Sequence, residues 1–430
     1  MAEPKRLTPD ILVIGAGSGG LSVASGAVQM GASVVLLEGH RMGGDCLNFG
    51  CVPSKALIAS AKAAHGQAHS APFGVANVTP QVDYAAAMEH VAQAIATIEP
   101  HDSQERFETL GVTVIREYGE FLSPREVKAG DTIIKPRRIV IATGSSPLVP
   151  PIPGLDSVPY DTNETLFDRR EKPDHLLIIG GGPIGVEMAQ AHVRLGCKVT
   201  VIEGAKALGQ DDPELAALVL DRLREEGVEI AEQAKASKIG GQAGAIEVDT
   251  EDGRRFTGTH LLVAVGRKPN IDRLALDKAG IETTKRGIKT DSRLRTTNRR
   301  AYAIGDVNGG LQFTHVAGHQ ASLGVRSIVF RLPARYDADL MPHAIYTAPE
   351  IAAVGLGVAP LGMFAHKDMQ CLVSRHMWLN AAIPGTSLVV QWEFTEGDIR
   401  DDVSLHHRPA RDRVRDHFKI GLEEGVGFII

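Results

Sequence analysis

The sequence predicts an α/β chain containing two copies of one structural unit. Three observations predict this class: a strand–glycine loop–helix–strand pattern that occurs twice, 46 glycines among 430 residues, and a composition that is 43% hydrophobic and 23% charged. So many glycines suit a chain rich in tight turns, and the apolar and charged fractions suit a soluble globular protein. At this length there is room for two or three domains with sizeable cores.

The first copy runs from ILVIGAGSGG (11–20), through a helix expected to reach about Gly31, to SVVLLE closing on Glu38. The second runs from LLIIGGGPIG (176–185), through a helix to Gly196, to KVTVIE closing on Glu203. Gly15, Gly17 and Gly20 share the G-x-G-x-x-G spacing with Gly180, Gly182 and Gly185, and each acid follows its first glycine by 23 residues. Glycines so spaced let the backbone approach a pyrophosphate. The helix start offers N–H groups and the positive dipole end, and the acid accepts from ribose hydroxyls. A lone glycine pattern also arises from packing, but here strand, helix and acid are present both times. Two copies imply two bound dinucleotides.

The other elements follow in order. Helical stretches are expected at 55–69 and 84–110, then strands ending at IVIATGSSP (139–147), and the Pro-rich VPPIPG (149–154) marks a boundary. Beyond the second unit come an amphipathic helix (213–226), short strands, LLVAVGRKPN (261–270), RTTNRRAYAIGDVNGG (295–310) and an Ala/Gly-rich helix near 316–330.

A net charge of −6 gives no reason to expect nucleic acid or an anionic membrane as partner. The apolar run from Ile11 to Ile14 is far too short for a signal or a membrane span. Four cysteines in this length argue against a secreted disulfide scaffold, so a cytoplasmic, reducing compartment is expected. There a cysteine pair is more often catalytic or metal-binding than structural. The pair at issue is Cys46 and Cys51 in GGDCLNFGCVPSK (43–55). Cysteines at i and i+5 do not share one face of an ideal helix, so a bridge between them requires distorted backbone and is more easily reduced. Metal binding is not expected, because no second pair completes a ligand set and Cys197 and Cys371 stand alone.

With GAGSGG, GGDCLNFGCVPSK, IVIATGSSP, GGGPIGVEMA, VAVGRKPN, AIGDV and, more weakly, IYTAPEIAAVGL in register over residues 10 to 356, the chain resembles the flavin-dependent pyridine nucleotide–disulfide oxidoreductases. That group includes dihydrolipoamide dehydrogenase, glutathione reductase and mercuric reductase. The resemblance implies an FAD domain (1–155 and 273–338) interrupted by an NAD(P) domain (156–272), followed by an α+β dimerisation domain (339–430). It assigns Gly15, Gly17, Gly20, Glu38, Gly44, Lys55, Ala142, Thr143, Gly144 and Asp306 to FAD. It assigns Gly180, Gly182, Gly185, Glu203 and Gly266 to the nicotinamide dinucleotide. Read alone, Asp306 is also compatible with an ordinary turn aspartate. The resemblance further implies that electrons pass from reduced nicotinamide through flavin to a Cys46–Cys51 disulfide. Cys51 is then the flavin-facing sulfur, Cys46 the exchange thiol, and Lys55 with Glu187 a pair tuning both. Lys55 is otherwise a surface charge, and Glu187 an acid near a helix start. Glu203 favours a ribose 2′-OH and repels a 2′-phosphate, with Lys206 the only nearby cation, so NADH is expected over NADPH.

The tail departs from this pattern. The family's C-terminal H-P-T-x-x-E string, whose His serves the partner subunit's exchange thiol, is missing. In HHRPARD, His407 and Asp412 have the right offset but the proline is misplaced, so His407 is carried as a catalytic candidate beside the plainer reading of an exposed histidine. After about Leu356 the family texture is lost, and the expectation is that a frameshift or an unrelated ending has replaced most of the dimerisation domain. A homodimer is expected from the resemblance and placed in doubt by this tail. Three functions stay open: a dihydrolipoamide dehydrogenase-like reductase of a small or protein-bound disulfide, a mercuric reductase-like enzyme, and a flavoprotein retaining only diaphorase activity.

Overall fold

The computed structural model describes residues 4–354. His407, Asp412, Cys371 and the sequence after Leu356 therefore lie outside the described residues, and so do the expectations placed on them.

Four-residue apolar runs make the first sheet. Ile11–Ile14 and Val34–Leu37 are buried at every position, as expected of strands covered on both faces. The strand order is Ala301–Ala303, Arg138–Ile141, Ile11–Ile14, Val34–Leu37, Thr113–Ile115, and every pair is parallel. One face is covered by the helices Ser18–Gln29 and Thr314–Ile328, through Leu21, Val23, Ala27 and Ala321. The other face packs on Phe121, Val127 and Ile134 of a smaller four-stranded sheet.

The second parallel sheet has the order Glu229–Ala231, Lys198–Ile202, His175–Ile179, His260–Val263. Pro183–Arg194 and Pro213–Glu225 cover one face, together with side chains of Cys51–Ala68 and Tyr84–Ile98. A three-stranded antiparallel sheet covers the other. Pro213–Glu225 shows how sequence sets such a helix. Asp212 caps it by accepting from the amides of Glu214 and Leu215, and Ala216, Val219, Leu220 and Leu223 put one apolar stripe on the sheet. A short antiparallel ribbon, Ser145–Pro147 with Arg267–Pro269, joins the two halves. The result is an α/β fold with two Rossmann-like parallel sheets. No helix among the described residues is long and apolar enough to cross a membrane.

Two expected boundaries move. The helix expected from residue 55 begins at Cys51, because Pro53 sits in its first turn, where its missing N–H costs nothing. The stretch 84–110 is two helices, Tyr84–Ile98 and Gln104–Thr109. Pro100 interrupts the first, and Ser103 starts the second by accepting from Arg106 N at 3.2 Å.

Candidate active site

Both glycine loops sit at the C-terminal ends of their sheets and repeat one construction. Gly15 has φ +104° and Gly180 φ +110°, a backbone region that side chains rarely adopt. A Cβ on either would overlap the carbonyl oxygen that closes the adjoining strand, from Ala142 and Ala264 respectively. On Gly20 or Gly185 it would overlap the carbonyl of the loop's own first glycine. Protein packing thus explains the first and third glycines. The middle ones are different: a Cβ on Gly17 would meet only Gly44 Cα at 3.8 Å, and on Gly182 nothing within 4 Å. Each starts a helix whose first amides have no side-chain cap. Open space before uncapped amides fits a pyrophosphate at both loops.

Glu38 and Glu203 also match. Ala16 N donates to Glu38 Oε2 at 2.7 Å and His40 N to Oε1 at 2.7 Å. Gly181 N donates to Glu203 Oε2 at 2.7 Å and Ala205 N to Oε1 at 2.7 Å. Each acid therefore fastens its glycine loop, a role the sequence did not announce, while its remaining lone pairs stay available to a ribose.

The cysteine loop rests on the first unit. Gly44 lies so close to Gly17 that a Cβ on it would stand 2.6 Å from the Gly17 Cα. Cys46 is carried by the five-residue helix Gly44–Asn48, and Cys51 opens Cys51–Ala68. Between them Gly50 (φ −122°, ψ −110°) breaks the helical path, the kind of distortion that a bridge between them would need. The two cysteines lie near one another, close enough for each to act on the other's ionisation.

Their environments differ. Cys51 is lowered to about 6, first by the hydrogen bond from Cys46, then by Thr314 and by the positive charge of Lys55, against the opposing effect of burial. Thr314 Oγ1 lies 3.2 Å from Cys51 Sγ. Cys46 is pushed well above the ordinary thiol range by its hydrogen bond to Cys51 and by burial. The pair is thus polarised, with Cys51 the sulfur that ionises.

Lys55, one turn along the helix, places Nζ 2.9 Å from Glu187 Oε2 and 4.2 Å from the centre of the Tyr346 ring. Glu187 Oε1 accepts from Tyr346 N at 2.9 Å, and Gln190 exchanges two hydrogen bonds with the backbone of Ala348. The pair predicted by resemblance is therefore brought together, and it ties three chain segments at the cysteine helix.

The structure adds a cluster that sequence reasoning missed. Arg267, nearly buried, donates to Asp45 Oδ1 at 2.8 Å and to Ser145 Oγ at 2.7 Å, with its Nε 3.8 Å from Asp306 Oδ2. Ser145 Oγ donates to Asp306 Oδ2 at 2.6 Å, and burial raises the Asp306 carboxyl. Asn163 Nδ2 donates to Asp45 Oδ1 at 3.1 Å. One buried guanidinium thereby links the cysteine loop, the GRKPN ribbon and the AIGDV turn. The only sequence signal was that Arg267 and Asp306 lie within motifs. Thr143 and Gly144 stand on the same edge, where Thr143 Oγ1 donates to Asn270 O at 2.7 Å. Gly144 (φ +66°) and Gly266 (φ +115°) have nothing within 4 Å of a Cβ.

The family described as pyridine nucleotide-disulphide oxidoreductase matches residues 9–321, and the chain belongs to it. Members of this family are FAD-dependent and use pyridine nucleotides. Mercuric reductase of Streptomyces lividans is 33% identical over 362 residues, covering 82% of this chain and 76% of that protein. Dihydrolipoyl dehydrogenase of Chlamydia muridarum is 35% identical over 354 residues, covering 81% and 76%. The match to mercuric reductase of Bacillus cereus, 32% identical, spans only 56% of that longer protein. Among solved structures, the HOCl-induced flavoprotein disulfide reductase RclA from Escherichia coli has a TM-score of 0.72 at 29% identity, covering 81% of this chain and 78% of that one.

Proposed function

We propose that this chain is an NADH-dependent flavoprotein disulfide reductase of dihydrolipoamide dehydrogenase type, acting through Cys46 and Cys51. The observation that carries it is the polarised dithiol: one sulfur lowered to about 6 and the other held protonated, beside a glycine loop whose middle glycine is kept open. FAD, when bound, supplies the two-electron link between nicotinamide and sulfur. Gly17 and the first amides of Ser18–Gln29 would hold its pyrophosphate, with Glu38 on the ribose and Asp306 beside it. Gly182 and Glu203 would hold the nicotinamide dinucleotide, and a carboxylate at Glu203 favours NADH over NADPH.

The chain's own part is proton and thiolate control. Two electrons and one proton turn the Cys46–Cys51 disulfide into a Cys46 thiol and a Cys51 thiolate. Lys55, Thr314 and the Cys46 S–H stabilise that thiolate. Cys46 then loses its proton and attacks the substrate disulfide, breaking it and releasing one thiol. Cys51 attacks the mixed disulfide, restores the Cys46–Cys51 bond and releases the second sulfur as a thiolate, which takes its proton from solvent. A homodimer and a cytoplasmic location complete the reading.

Reduction of Hg(II) is the second reading. A dithiol suits a soft cation, and mercuric reductases and dihydrolipoyl dehydrogenases stand at similar identity to this chain. Anaerobic addition of one equivalent of NADH to the FAD-loaded protein, with alkylation and mass mapping, should open both Cys46 and Cys51 to the reagent, because reduction breaks the bond that protects them. Turnover is then compared with lipoamide, glutathione disulfide and Hg(II). Failure of NADH to increase Cys46 labelling would sink both readings, and NADH oxidation by dyes alone would leave only diaphorase activity. Faster turnover of Hg(II) than of any disulfide would select the mercuric reading.

A further inference from the structure

At the other end of the first sheet lies a cavity of about 460 Å³ that the redox chemistry does not use. Asp10 directly precedes the strand Ile11–Ile14, and Arg137 directly precedes the strand that Arg138 opens, Arg138–Ile141. Gly15 and Ala142 follow those same strands at the opposite edge. The cavity is therefore about one strand length, ~13 Å, from the first glycine loop.

Its charge runs against that of the molecule. In a chain of net charge −6, Arg137, Arg138, Arg293, Arg295 and Arg331 line this cavity against the single carboxylate of Asp10. That carboxylate is already committed. Oδ1 accepts from Arg137 Nη1 at 2.7 Å, and Oδ2 accepts from Ser33 N at 3.1 Å and Ser33 Oγ at 2.8 Å. Among the described residues, none of the other four arginines pairs with a carboxylate. Arg295 is the sharpest case: its guanidinium lies over the Tyr302 ring, 6.0 Å from the centroid, and its buried Nε has no hydrogen-bond partner. A buried donor without an acceptor is costly, and a charged one more so. Arginines that line one space with a single, already paired carboxylate suit the oxygens of phosphate, which guanidinium groups bind in pairs of parallel hydrogen bonds.

We propose that this cavity is a second anion site that binds a small polyphosphate, separate from both dinucleotide loops. Arg293 and Arg331 supply exposed charge, and the half-buried Arg295 lines the cavity against the Tyr302 ring. Exposed Met30 and Leu332 on the same wall suit a molecule that carries an apolar group beside its phosphates.

The test is calorimetric titration of the FAD-loaded protein, with the nicotinamide site saturated by NAD+, using inorganic pyrophosphate and, separately, ATP. Both should bind, more weakly as salt rises. The double variant Arg293→Glu/Arg331→Glu should weaken binding by at least about tenfold, and Arg295→Met by a similar factor, as expected for lost charge-assisted contacts. Tighter binding of ATP would identify a nucleotide as the natural occupant, and equal binding would identify the polyphosphate group alone. Arg293→Gln provides a milder check should the double variant fail to fold, with a smaller loss expected. Unchanged affinity in the variants, or no binding to the wild-type protein at millimolar concentration, overturns the proposal. Neither result bears on the dithiol, because NADH-dependent labelling of Cys46 is read independently.

Discussion

Residues 11–38 and 175–203 build one loop from two different sequences, and the comparison separates what the loop needs for itself from what it offers a ligand. The first glycines share a positive φ, the third glycines share an overlap with the first, and the acids fasten both loops through matching 2.7 Å bonds. The units differ in front of the middle glycine. Gly17 has Gly44 of the cysteine loop beside it, whereas Gly182 has no neighbour within Cβ reach. Under the proposed function, the first loop is built into the redox centre and the second is left open for a dinucleotide that comes and goes.

That contrast can be broken most severely at the third glycines. Gly20→Ala and Gly185→Ala drive a Cβ into a backbone carbonyl that cannot swing aside, so each should cost about 3 kcal/mol or more of stability in denaturant unfolding. A loss below about 0.5 kcal/mol at either would show that the loop is not packed this way.

The middle glycines should behave oppositely. Gly182→Ala should leave stability within about 0.5 kcal/mol, because nothing in the protein is struck, yet weaken NADH by about tenfold or more in equilibrium binding. Gly17→Ala should likewise spare the fold and reduce FAD retention after gel filtration. If Gly17→Ala unfolds the protein as readily as Gly20→Ala, the distinction between packing and ligand glycines fails.

The next effect concerns the thiols. Lys55→Met removes a positive charge that favours the Cys51 thiolate, so its titration, followed by thiolate ultraviolet absorbance, should move upward from about 6. The sign extends to stability. The fold depresses this group from an ordinary value of 9.0, so its contribution is complete above pH 9 and is lost as pH falls through about 6. A downward shift in the Lys55→Met titration would contradict the arrangement. The smallest effect is expected of Tyr346→Leu, which removes the ring beneath the Lys55 ammonium and should cost about 0.5–1 kcal/mol in thermal unfolding.

Much of the fold was legible because its elements are written locally. Continuous apolar runs such as Ile11–Ile14 mark strands buried on both faces, and the glycine spacing fixes the turns that follow them. The Cys46–Cys51 spacing called for a break wherever the two are to bridge, and Gly50 interrupts the helical path between them. Other features were not legible, because their partners are distant in sequence. Thr314 meets Cys51 only because the helix Thr314–Ile328 packs on the first sheet, and Arg267 meets Asp45 only because the ribbon crosses between the two halves. The acids after each second strand were read as ribose ligands, and nothing in the sequence showed that they also hold the loops.

The sequence by itself determined the two dinucleotide units, the family and the cysteine pair, because each is a short motif whose backbone geometry is set by glycine, proline and local periodicity. Only the tertiary structure decided how the pair is polarised and where charge gathers. A thiol's ionisation depends on groups within a few ångströms of it, and beside its neighbours Cys46 and Lys55 the Cys51 thiol meets Thr314, which comes from 263 residues further along the chain. The arginines of the distal cavity likewise share a space only after the strands are paired.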